Sequence, residues 1–109
     1  MKKSETIKDK NLFNNIIKKG YFIKDDNYVI YYMENKVFKK SKYGIAIKTS
    51  IGKAHIRNKL KRQTRQIIDL NKKKFKNSYN YIIMIREKSV ENGYSEMLKS
   101  MEKLLERIK

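Results

Sequence analysis

The sequence has no cysteine and a single histidine, His55. That excludes disulfides and thiolate metal sites, and it leaves no His-His pair with which to build a metal or catalytic centre. Acidic residues are few and scattered, and the adjacent pair Asp25-Asp26 is not accompanied by the other oxygen ligands that a divalent-cation site needs. No apolar run approaches the roughly 20 residues of a membrane span, and the start Met1-Lys2-Lys3-Ser4-Glu5 leads into polar sequence without a signal-peptide core. A cytoplasmic protein with no membrane partner is expected. No internal repeat and no linker stands out, so residues 1–109 are read as one domain, since two separate cores would each be too small to bury enough apolar surface.

What the chain does have is positive charge. Twenty-eight lysines and arginines face 11 acids, a formal net charge of +17. In a compact fold many like charges then lie within a Debye length of one another, roughly 8 Å at physiological salt. A polyanionic partner relieves that repulsion, because each neutralised phosphate releases condensed counterions. An anionic membrane surface is the competing partner on charge alone.

The periodicities give an element order. Leu12, Phe13, Ile16 and Ile17 recur at helical spacing from about Asp9 to Lys19, and Gly20 supplies a stop. Tyr21 to Ile23, Asn27 to Met33 and Tyr43 to Thr49 are short, rich in β-branched and aromatic residues, and read as three antiparallel strands. A long helix is predicted from about Ala54 to Lys76, with Ile56, Leu60, Thr64 and Ile67 in one arc at about 100° per residue. Tyr79 to Arg86 carries the continuous apolar run Ile82-Ile83-Met84-Ile85, fit for a strand buried on both faces. A last helix is predicted from about Tyr94 to Ile108. The fold class is therefore α+β, in the order α-β-β-β-α-β-α.

Charge concentrates on the middle helix. Lys53 to Lys76 holds ten basic residues against Asp69 alone, whereas Tyr79 to Lys109 holds six basic against five acidic. Arg57, Lys61 and Arg65 step by four, with Asn58 and Arg62 stepping by four beside them, so five polar donors share one face. An arginine fork grips two phosphate oxygens or stacks on a base. Asn58 suits a 2′-hydroxyl or a base edge, and equally suits capping the helix start. The preceding loop, Ser50-Ile51-Gly52-Lys53, brings backbone amides to a helix N-terminus, where anions bind. A charge run of this kind is often only a solvated surface, but the absence of interleaved acids, the basic character of the whole chain and the preceding loop favour contact with a polyanion.

A second surface is available between the first helix and the sheet, with Phe13 and Ile17 on one side, Tyr28, Tyr31 or Tyr32 on the other, and Lys18 and Lys19 at the rim. Aromatic rings beside cations bind single-stranded nucleic acid. The same residues also make an ordinary core stripe.

The segment Ile51-Gly52-Lys53-Ala54-His55-Ile56-Arg57-Asn58-Lys59-Leu60-Lys61-Arg62-Gln63-Thr64-Arg65-Gln66 resembles the signature of the bacterial ribonuclease P protein family, whose core pattern is R-N-x-x-K-R-x-x-R. The likeness extends from Leu12-Phe13 through Lys19-Gly20, Tyr28-Val29-Ile30-Tyr31 and Tyr81-Ile82-Ile83 to Arg86. It implies a two-layer sandwich with a four-stranded mixed sheet, in which a left-handed βαβ crossover carries the basic helix against the usual right-handed rule.

The resemblance also implies that Gly52, Lys53, Arg57, Asn58, Lys61, Arg62 and Arg65 contact a catalytic RNA. Phe13, Ile17, Lys18, Tyr28, Tyr31 and Arg86 would hold the 5′ leader of precursor tRNA. Mg2+ would be held mainly by the RNA subunit, no catalytic residue would lie on this chain, and the protein would be a monomer within a ribonucleoprotein endonuclease. The sequence departs from the family at Lys53, where asparagine is usual, at Ile17, where an aromatic is usual, and in a lysine-rich N-terminus where arginines are usual. Charge and fold class by themselves would also suit a ribosomal or other structural RNA-binding protein.

Overall fold

In the computed structural model, residues 3–37 and 39–108 are described. Helix α1 spans Lys10–Lys19 and is capped by Asp9, whose carboxylate accepts from the Asn11 and Leu12 amides. Strands β1 (Tyr21–Lys24) and β2 (Tyr28–Glu34) form a hairpin. Its turn is set by Asp25, whose Oδ1 accepts from the backbone amides of Asn27 at 2.9 Å and Tyr28 at 3.0 Å. Asn27 therefore belongs to the turn and not to the strand that the sequence pattern assigns it.

Strand β3 (Lys42–Ile47), helix α2 (Ala54–Leu70), strand β4 (Tyr79–Ile85) and helix α3 (Lys88–Arg107) follow, giving the expected α+β order. The sheet order is β1-β2-β4-β3, with β2 antiparallel to β4 and β3 parallel to it. The first three strands alternate in direction as expected, but β3 does not pair with β2. The apolar run in β4 takes the central place between them, with one face under α2 and α3 and the other partly under α1. Tyr81, Ile82, Ile83 and Ile85 are all buried there.

Strand alternation divides the molecule into two apolar clusters. Tyr28, Ile30, Tyr43, Ile83 and Ile85 point to the face on which α2 and α3 lie, and this is the main helix-on-sheet core. Ile82 points to the opposite face, where it meets Ile7 and Ile16, with Phe13, Ile17 and Tyr31 packed around them. Helix α1 thus covers part of the second sheet face and leaves the remainder open.

Two helix ends differ from the sequence expectation. Helix α2 stops at Leu70, short of Lys76: the buried Asn71 side chain donates to the Ile67 carbonyl at 2.9 Å, and a short 3-10 turn, Lys72–Lys74, follows. That early stop lets Phe75 enter the core, with its ring centroid 5.0 Å from that of Tyr43 and 4.9 Å from that of Tyr81. Helix α3 starts at Lys88, earlier than the expected Tyr94, because a first turn precedes a kink at Gly93, where φ is 77°.

Candidate nucleic-acid interface

Helix α2 buries Leu60, Thr64, Ile67 and Ile68 and turns its basic row outward. Asn58, Arg62 and Arg65 are exposed, while Arg57 and Lys61 are half-buried. Arg57 is tethered: its Nε donates to the Gly52 carbonyl at 3.1 Å, which ties the side chain to the loop before the helix. A side chain at Gly52 would meet Ile56 only at ordinary contact distance, and Lys53 occupies the N-cap with no side-chain hydrogen bond to the first turn. Asn58 lies one turn inside α2 and so does not cap it, which leaves its amide to the outer face.

The second surface is rearranged. Tyr28 is fully buried on the α2 side of the sheet, and its hydroxyl meets Thr64 Oγ1 at 3.0 Å. Burial raises its pKa well above the ordinary tyrosine value, an effect only partly offset by the Thr64 hydrogen bond. The assignment of Tyr28 to leader binding is therefore corrected, because alternation along β2 sends it into the main core and sends Tyr31 to the other face.

Tyr31 lines a cleft of about 580 Å³ on the open part of that face, together with Phe22, Val29 and Met84, and with Lys24, Lys48 and Arg86 around them. Arg86 is exposed, and its Nη1 donates to the Asp25 carbonyl at 2.6 Å, so the hairpin turn orients the guanidinium. No spacing or motif in the sequence marks Phe22, Lys24 or Lys48 for this cleft. The alternation of Phe22 with Ile23 is visible there, but the face that each serves depends on the pairing of Phe22 with Tyr31.

Phe13 lies elsewhere. Its Cε2 sits 2.9 Å from where a Cβ on Gly44 would be, so the absence of a side chain at Gly44 makes room for the ring. Phe13 and Gly44 line a smaller cleft of about 270 Å³ together with Lys61 and Arg65 of α2. The structure thus joins Phe13 to the basic helix across the β3 edge. Ile17 packs into the Ile7–Ile16–Ile82 cluster, and Lys18 is exposed on the last turn of α1. Neither is among the residues lining the two clefts.

The chain is similar to known proteins along its whole length. The family model described as Ribonuclease P matches residues 1–109. A ribonuclease P protein component of Mycoplasma capricolum is 44% identical over 71 residues, covering 65% of this chain and 64% of that protein. One from Staphylococcus aureus is 33% identical over 72 residues, covering 66% of this chain and 63% of that protein. The matched stretch thus spans just under two thirds of the length of these relatives. Among solved structures, the Staphylococcus aureus RNase P protein superposes with a TM-score of 0.89 at 27% identity, covering 98% of this chain and 97% of that one. The RNase P protein from Thermotoga maritima superposes with a TM-score of 0.79 at 30% identity, covering 89% of this chain and 91% of that one. The basic row on α2 thus sits on a fold shared with RNase P proteins, and the chain belongs to the ribonuclease P protein family.

Proposed function

We propose that this chain is the RNA-binding protein subunit of ribonuclease P and assists a catalytic RNA in removing the 5′ leader from precursor tRNA. The observation that carries the reading is the outward row Arg57, Asn58, Lys61, Arg62 and Arg65 on one helix of this family's fold. The row would grip the catalytic RNA through phosphate and 2′-hydroxyl contacts, with Arg57 preset by its bond to Gly52. The cleft on the other sheet face would take the leader as a single strand, with Tyr31 offering a ring and Lys24, Lys48 and Arg86 meeting the phosphates.

In this scheme the protein contributes affinity and orientation. Its cations offset repulsion between the phosphates of enzyme RNA and substrate. Mg2+ would be held mainly by the RNA subunit; among the described residues no group of three or more His, Cys, Asp or Glu side chains comes together. Among those residues no helix is long and apolar enough to cross a membrane. A monomeric, cytoplasmic protein bound to one RNA partner fits this role.

The test adds the protein to its cognate catalytic RNA at low Mg2+ and follows cleavage of precursor tRNA. Stimulated cleavage, with tighter binding of precursor than of mature tRNA, is the expected result. Binding of the RNA without stimulation would return the chain to a structural RNA-binding role.

A further inference from the structure

We propose that Phe22, on the outer strand β1, is a nucleobase-stacking residue that extends the leader cleft beyond Tyr31. The inference rests on reading that cleft as a site for single-stranded RNA. Phe22 is the direct cross-strand partner of Tyr31, so both side chains leave the same face of the sheet. Their ring centroids are 5.9 Å apart and the planes are inclined at 43°. Phe22 remains 57% exposed in that position. A phenyl ring has no polar group to hold in water, unlike the hydroxyl of its exposed neighbour Tyr21.

The surroundings select the occupant. Lys24 follows Phe22 by two residues on the same face, and Lys48 and Arg86 approach from the ends of β3 and β4, against Glu87 as the one acid lining the cleft. Such a rim suits a phosphate backbone over a neutral peptide segment. A duplex hides its base faces, whereas a single strand presents them, so an aromatic platform beside cations fits an unpaired nucleotide. Phe22 offers no hydrogen bond with which to read the base. Stacking there should tolerate any nucleobase and favour purines by their larger surface. Arg86, oriented by the Asp25 carbonyl, is placed to hold a neighbouring phosphate.

The test uses the holoenzyme assembled from the full chain and its cognate catalytic RNA. Phe22→Ala should weaken precursor tRNA binding about tenfold while leaving mature tRNA binding and assembly with the RNA unchanged. Phe22→Tyr should restore affinity, whereas Phe22→Leu, which keeps apolar surface without a ring, should not. The sequence has no tryptophan. Phe22→Trp therefore carries a lone indole, whose fluorescence should be quenched by precursor and not by mature tRNA, and an abasic leader nucleotide at one position should remove the quench. Tyr31→Ala is run in parallel. If it loses discrimination while Phe22→Ala behaves as the parent protein, the proposal falls and the leader reading stands. If neither variant changes discrimination, both fall. Rescue by Phe22→Leu, or a quench produced equally by anionic vesicles, would also overturn stacking as the cause.

Discussion

The hydroxyl of Tyr28 lies 3.0 Å from Thr64 Oγ1, in the buried seam where α2 rests on the sheet. The basic helix α2 is thereby registered on β2 by a polar contact inside the core. Leaving one of two such groups unpaired costs more than the bond itself contributes.

Tyr28→Phe is accordingly expected to lower stability by about 1–2 kcal/mol, measured by urea unfolding. Discrimination between precursor and mature tRNA should not change. A loss of discrimination at full stability would show that Tyr28 reaches the substrate.

The exposed arginines should behave in the opposite way. Arg62→Ala and Arg65→Ala are expected to leave stability within about 0.5 kcal/mol of the parent. Each should weaken binding of the catalytic RNA and reduce the slope of log affinity against log salt by about 1. Arg57→Ala should weaken RNA binding and also loosen the Gly52 loop, because its Nε bond is internal to the protein. Filter binding across a salt series checks all three.

Gly20 gives a prediction of a different kind. A Cβ there would lie 2.6 Å from the Ile16 carbonyl oxygen and 2.8 Å from that of Tyr32, both backbone atoms. Its φ of −76° is open to any residue, so the restriction is close approach and not a left-handed turn. Gly20→Ala should therefore destabilise the protein by about 1–3 kcal/mol in thermal unfolding.

Alkaline pH should unfold the protein through its buried tyrosines. Tyr43 and Tyr81 are both pushed up to about 12, chiefly by burial. With the folded value raised above the ordinary 10.0, the folded state holds protons that the unfolded state releases. Their contribution is complete below pH 10 and is lost as pH rises toward 12. Each tyrosine should steepen the fall by at most about 1.4 kcal/mol per pH unit. Urea midpoints from about pH 9 to about pH 11.5 should fall less steeply in Tyr43→Phe than in the parent.

Much of the candidate interface was legible in the chain. The row from Arg57 to Arg65 depends only on the helical repeat, and the inward arc of Leu60, Thr64 and Ile67 confirms which side of α2 is outward. The end of the same helix was not legible. Lys72 to Lys76 continue a helical composition, and the stop comes from Asn71 capping Ile67 and from the space that Tyr43 and Tyr81 leave for Phe75. Phe13 was expected to share a groove with the strand tyrosines, yet Gly44 receives its ring beside Lys61 and Arg65.

By itself the sequence determined the element order, the basic face of α2 and the family pattern, because each is written in spacings of a few residues along one segment. Only the tertiary structure decided that β4 lies between β2 and β3, that Tyr28 is core while Tyr31 faces the cleft, and that Phe22 stands beside Tyr31. Strand residues alternate between faces whatever their identity, so which set faces the cleft is fixed by pairing with distant strands and by where the helices pack. The local chain does not hold that information.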